Sequence, residues 1–149
     1  PTQLANEEGY EQIIWTDDAT HEYFEESGTM NVFFAMGKKV ITPALDGTIL
    51  AGITRDSCIK LLHEKGYEVE ERKISIDEIV EAHQNGLLTD AFGSGTAAII
   101  AKIAAFNYKG VEYTLPNPEE RELSNWLYNT LYSIQTGATP TSFNWIDKV

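Results

Sequence analysis

The chain has 149 residues, 42% of them hydrophobic, which is enough for one domain with a proper core. Its 23 Asp and Glu against 11 Lys and Arg leave a formal net charge of −12. That balance argues against nucleic acid and anionic membrane as partners, since both are polyanions. The single cysteine, Cys58, allows no internal disulfide and no thiolate metal site, and it points to a reducing compartment such as the cytoplasm. No apolar run reaches membrane-spanning length.

Thr2 to Glu8 reads as the tail of a helix stopped by Gly9, so a helix already under way at Pro1 implies a chain truncated at its start. Gln12 to Trp15 and Glu22 to Glu26 read as strands. Met30 to Ala35 and Lys39 to Ile41 flank Gly37-Lys38, a hairpin with a glycine to take positive φ. Thr42 to Gly52, with Pro43, Gly47 and Gly52, reads as loop. A helix follows from about Thr54 to Lys65, with Cys58, Leu61 and Leu62 on one face and Gly66 as its stop. Tyr67 to Lys73 alternates like a surface strand. Ser75 and Glu78 form a capping box for a short helix to His83. Ala91 to Gly95 precedes the apolar run Ala97 to Phe106, whose pattern fits strand and helix alike. Tyr108-Lys109-Gly110 turns the chain into Val111 to Leu115. Pro118 opens a helix carrying Leu123, Leu127, Leu131 and Ile134 on one stripe, ended by Gly137. Strands mixed with helices, without a strict βαβ rhythm, predict an α+β fold with a mixed sheet.

Five sets of residues carry chemical possibilities. Gly93-Ser94-Gly95-Thr96-Ala97-Ala98 fits G-x-G-x-x-A, which is either a tight turn or the glycine loop of a nucleotide site with Glu112 as ribose contact. Gly52-Ile53-Thr54-Arg55 leads a loop into a helix, where free amides suit a phosphate; an ordinary N-cap has the same pattern. Asp17, Asp18, His21 and Glu22 match no calcium-loop spacing, so no metal is expected and a solvated acidic face is. Glu26, between a strand and the small Ser27 and Gly28, is a carboxylate suited to a cationic ring nitrogen. Lys102 lies in an apolar run, the setting in which lysine nucleophiles arise, but a half-exposed strand position explains it equally.

In order, Glu26-Ser27-Gly28-Thr29-Met30-Asn31, Leu45-Asp46-Gly47, Leu50-Ala51-Gly52-Ile53-Thr54-Arg55 and Phe92-Gly93-Ser94-Gly95-Thr96-Ala97 resemble the branched-chain amino acid aminotransferases, pyridoxal 5'-phosphate (PLP) enzymes of fold type IV. The resemblance runs from residue 1 to about Leu115. It implies a mixed sheet or pseudo-barrel with flanking helices, the large C-terminal cofactor domain of that fold, over residues 1–149. By the same resemblance Glu26 pairs with the pyridine nitrogen, Ile53, Thr54 and Thr96 hold the phosphate, and Thr29 and Ala97 receive the substrate carboxylate. It further implies ping-pong transamination of leucine, isoleucine or valine with 2-oxoglutarate, by a cytoplasmic homodimer serving branched-chain amino acid biosynthesis. Ala51 stands where the family usually has proline, and Ala98 and Ala101 exclude the C-x-x-C of some members. The lysine that carries PLP is expected upstream of Pro1, with the small N-terminal domain, so the 149-residue chain alone is expected to be inactive. A non-catalytic nucleotide-binding module using Gly93 to Ala98 is the competing expectation.

Overall fold

The structure, a computed structural model, describes residues 2–143 and 145. Helix α1 (Thr2–Glu7) leads into strands β1 (Ile14–Thr16), β2 (Phe24–Ser27), β3 (Met30–Met36) and β4 (Lys39–Thr42). Helix α2 (Ile53–Glu64), β5 (Glu68–Glu71) and α3 (Ile76–Gln84) follow. Then come β6 (Asp90–Gly95), β7 (Ile99–Lys102), β8 (Ala105–Tyr108), β9 (Val111–Thr114), a 3₁₀ turn (Pro118–Glu120) and α4 (Glu122–Gln135). The expected α+β mixed sheet is present: seven strands form one sheet, β8 and β9 pair separately, and β4–β5 is parallel while the other pairs are antiparallel. Pro1, on which the reading of a truncated start rests, lies outside the described residues.

β3 is the axis of the fold because it is buried on both faces. Val32 and Phe34 enter one core with Ile74, Ile76 and Ile79. Phe33 and Ala35 enter the other with Cys58, Leu62, Leu123 and Leu127, beneath α2 and α4. A strand covered on both sides needs a continuous apolar run rather than alternation, and Val32-Phe33-Phe34-Ala35 provides it. Phe33 faces Phe92 of β6 directly, their rings stacked with centroids 5.1 Å apart. Burial in the second core pushes the Cys58 thiol up to about 12, so it stays protonated and inert at neutral pH.

One open reading is decided and two local expectations change. The apolar run Ala97 to Phe106 becomes β7 and β8, with a break at Ile103-Ala104 where the chain leaves one sheet for the other. Pro118 does not open the last helix; it opens the 3₁₀ turn, and Arg121 is extended (φ −75°, ψ 118°) before α4 starts at Glu122. That kink lets Arg121 turn inward, where its guanidinium meets Asp90 (Nη1–Oδ1 3.2 Å) and the Pro116 and Ile103 carbonyls. Ser75 caps α3 by accepting the Glu78 N–H at 3.1 Å, but only half of the capping box forms, because the Glu78 carboxylate is taken by Arg72 at 2.6 Å and 2.9 Å.

Candidate functional site

The two hairpin turns at one end of the sheet bring the expected residues together. Cross-strand pairing puts Glu26 of β2 opposite Asn31 of β3, Asn31 opposite Ser94 of β6, and Ser94 opposite Ile100 of β7. Directly paired residues project from the same face, so these four form one row. Beyond the row the chain turns twice, at Gly28-Thr29 between β2 and β3 and at Thr96 to Ala98 between β6 and β7. Since β3 and β6 are neighbours with Asn31 and Ser94 in register, the turns carrying Thr29 and Thr96-Ala97 lie side by side, and all three residues are exposed. Gly28 holds φ +60°, as the first position of a tight two-residue hairpin requires.

The start of α2 reaches the same row. Glu26 Oε1 accepts the Leu50 N–H at 2.6 Å, and Asn31 Nδ2 donates to the Leu50 carbonyl at 2.8 Å. Two residues on, Gly52 is the N-cap of α2 and supplies no side-chain cap. The first amides of a twelve-residue helix are therefore left without a side-chain acceptor, next to an exposed Ile53 (86%) and a half-buried Thr54. Arg55, 3% exposed, ties this first turn down by donating to the Pro43 carbonyl at 2.9 Å and pairing with Glu71 at 2.8 Å.

The glycines of the G-x-G pattern have another role than the sequence suggests. Gly93 and Gly95 are strand residues of β6, two apart and so on one face, and a Cβ on either would meet the Met30 side chain at 3.2 Å or 2.9 Å. They let Met30 lie flat across the strand; the turn itself is made by Thr96 to Ala98. The nucleotide-loop alternative falls with this geometry. That loop must open a helix, whereas β7 follows here, and Glu112 lies in the separate β8–β9 sheet, 3.5 Å from the Tyr10 hydroxyl. Ile99, at φ +58°, closes the turn in a conformation uncommon for a β-branched side chain, a local strain that no sequence signal announced.

The other candidates have structural employment. Asp17 accepts from the Thr20 hydroxyl and from the backbone N–H groups of Thr20, Glu22 and Tyr23 at 2.7–2.9 Å, so it organises its own turn. The Tyr23 N–H above all, with the Thr20 and Glu22 donors, holds its carboxyl well below the usual carboxylate range. Among the described residues no three His, Cys, Asp or Glu side chains gather as a metal set, and no helix is long and apolar enough to cross a membrane. Lys102, on β7, pairs with Glu119 at 3.3 Å. A cavity of about 740 Å³ lies on the other face of the sheet, lined by Tyr10, Ile14, Phe24, Ile76, Met30 and Phe106. Glu26, Ile53, Thr54, Thr96 and Ala97 do not line it, so the concavity and the row of expected residues are different places.

Sheet, hairpin pair and uncapped helix together make up an α+β domain, and comparison with known proteins shows the family to which it belongs. Residues 2–103 match the model of the amino-transferase class IV family, so the chain belongs to that family. It is 43% identical over 147 residues to branched-chain-amino-acid aminotransferase 2 of Bacillus subtilis, covering 99% of this chain and 40% of that protein. The branched-chain amino acid aminotransferase of Escherichia coli shares the fold with a TM-score of 0.75 at 27% identity, over 98% of this chain and 45% of that one. The PLP form of the branched-chain aminotransferase of Thermobaculum terrenum gives 0.67 at 31% identity, over 89% and 41%. The chain thus spans about 40% of the length of the relatives it matches.

Proposed function

We propose that residues 1–149 are the cofactor-binding C-terminal part of a PLP-dependent branched-chain aminotransferase, acting in the full-length protein on leucine, isoleucine or valine with 2-oxoglutarate. The names of the relatives support the substrate class. The observation that carries the reading is that a carboxylate (Glu26), an uncapped helix start (Ile53, Thr54) and two exposed hairpin turns (Thr29; Thr96-Ala97) share one end of the sheet. The distribution suits a ligand cationic at one end and dianionic at the other. Glu26 Oε1 is occupied by Leu50, while among the described residues Oε2 accepts no hydrogen bond and is available to a protonated pyridine nitrogen. The α2 amides and the Thr54 hydroxyl suit a phosphate, the Thr96 hydroxyl adds a donor, and the Thr29 and Ala97 turns offer backbone groups to a substrate carboxylate. When bound, PLP supplies the electron sink that lets a Cα proton leave an amino acid. Glu26 would keep the ring nitrogen protonated, and a lysine of the full-length protein outside residues 1–149 would carry the cofactor and move the proton. A cytoplasmic dimer is part of the same proposal.

Incubating the protein with PLP, reducing with borohydride and locating the pyridoxyl adduct by mass spectrometry tests this. The full-length protein is expected to give one adduct, upstream of Pro1, and leucine-dependent turnover; the 149-residue chain is expected to give neither. A stoichiometric adduct on Lys102 with turnover would place the reactive lysine inside this chain and overturn the domain assignment. Thr96→Val, which keeps the side-chain shape and deletes a charge-assisted hydrogen bond, is expected to weaken PLP retention by about 1.5–3 kcal/mol. Unchanged affinity on equilibrium titration removes Thr96 from the phosphate site.

A further inference from the structure

Asn31 interrupts an otherwise apolar strand: it is 5% exposed, and the four residues after it, Val32 to Ala35, are all buried and apolar. A polar side chain kept in such a place needs partners. Its Nδ2 donates to the Leu50 carbonyl at 2.8 Å, while its direct cross-strand neighbour Glu26 accepts the Leu50 N–H at 2.6 Å. Both backbone polar groups of one loop residue are thus gripped by two paired side chains. The other side of the Asn31 amide rests against Gly52: a Cβ at Gly52 would collide with Asn31 Oδ1. Gly52 is the N-cap of α2 and is not at positive φ (φ −67°), so its lack of a side chain answers to Asn31 rather than to backbone strain.

Resting on the PLP reading above, we propose that Asn31 is a positioning residue that sets the distance between the two ends of the cofactor site. Glu26 answers the ring nitrogen and the start of α2 answers the phosphate. Asn31 touches neither ligand end; it holds Leu50 and Gly52, through which the α2 amides are registered against the Glu26 carboxylate. A rigid ligand gripped at both ends gains affinity only if the two grips stand at the right separation, because the second contact is made at high effective concentration only when the geometry allows it. Loosening Asn31 therefore costs the affinity for PLP, which bridges both ends, and spares the affinity for a ligand that uses one.

The test uses the full-length protein and three probes: PLP, inorganic phosphate as a competitor for the phosphate end, and pyridoxal, which lacks the phosphate. Asn31→Asp keeps the shape of the side chain but puts an acceptor against the Leu50 carbonyl. Gly52→Ala leaves Asn31 intact and displaces its amide. Each is expected to weaken PLP binding about tenfold or more while changing inorganic phosphate and pyridoxal affinity less than about threefold. In a double-mutant cycle, Glu26→Ala, which removes the acceptor of the Leu50 N–H, is expected to cost PLP binding less in the Asn31→Asp background than alone, since both act through Leu50. Equal losses for all three probes, or unchanged PLP affinity in both variants that remain folded, overturns the proposal. If neither variant folds, Asn31 is a structural residue and the proposal falls as well. Wild-type protein that fails to bind PLP at all refutes the cofactor reading itself, which is a separate result.

Discussion

Glu26→Gln in the full-length protein is expected to slow leucine transamination at least a hundredfold, about 2.7 kcal/mol in barrier, while PLP binding falls much less. Glutamine keeps an oxygen for the Leu50 N–H, which Glu26 Oε1 now accepts at 2.6 Å, so the loop before α2 stays in place. The α2 start, the Arg55 anchor to Pro43 and Glu71, and the Thr96 turn are untouched, and with them the contacts proposed for the phosphate. What the variant loses is the negative charge proposed to keep the ring nitrogen protonated, and with it the electron sink on which proton removal would depend. The signature is a fall in kcat with a small change in the PLP dissociation constant. Near-normal kcat removes Glu26 from the role, whereas loss of both quantities together makes it a structural residue of the Leu50 clamp.

Much of the fold was legible because its signals are local. Gly37 between two apolar runs marks the β3–β4 hairpin, Gly66 stops α2, and Leu123, Leu127, Leu131 and Ile134 mark the buried stripe of α4. The misjudged places are those decided by competing partners that the local pattern does not show. Gly93 and Gly95 read as a turn because nothing local says that Met30, more than sixty residues earlier, lies across them. Pro118 read as the first turn of a helix because nothing local says that Arg121 is drawn inward by Asp90. Glu78 read as half of a capping box, but Arg72 competes for it and wins with two charge-assisted bonds. The candidate site divides in the same way. Glu26, Thr29, Ile53, Thr54, Thr96 and Ala97 come from motif resemblance, whereas Asn31, quoted within a motif and given no role, acquires one only through its pairing with Glu26 and its contact with Gly52. A signal was present, a single amide inside an apolar strand, but its meaning depends on which loop packs against it.

The largest stability loss is expected at Asp90, away from the candidate site. Its carboxylate is 3% exposed and serves two partners: Oδ1 accepts from Arg121 Nη1 at 3.2 Å, and Oδ2 accepts the Ser124 N–H at 2.9 Å, capping α4, whose own N-cap Arg121 offers no side-chain acceptor. Asp90→Ala removes both at once. It leaves the Arg121 guanidinium, 1% exposed, with only the Pro116, Ala91 and Ile103 carbonyls and no countercharge, while Nη2 already lacks a partner. Breaking a buried pair from one side costs about 3–5 kcal/mol, because the remaining charge is not returned to water, and a domain has only about 5–15 kcal/mol to lose. The contrast is Glu119→Ala, which breaks the Lys102 pair at 3.3 Å where the glutamate is 82% exposed; solvent screening limits that pair to about 0–1 kcal/mol. Asp90→Asn is expected to fall between the two, since its one remaining acceptor oxygen serves Arg121 or Ser124 but not both. Urea unfolding of the three variants beside the parent chain measures the series, and a loss at Asp90→Ala no larger than at Glu119→Ala would show that the Arg121 carbonyl contacts, and not the carboxylate, hold α4 against β6.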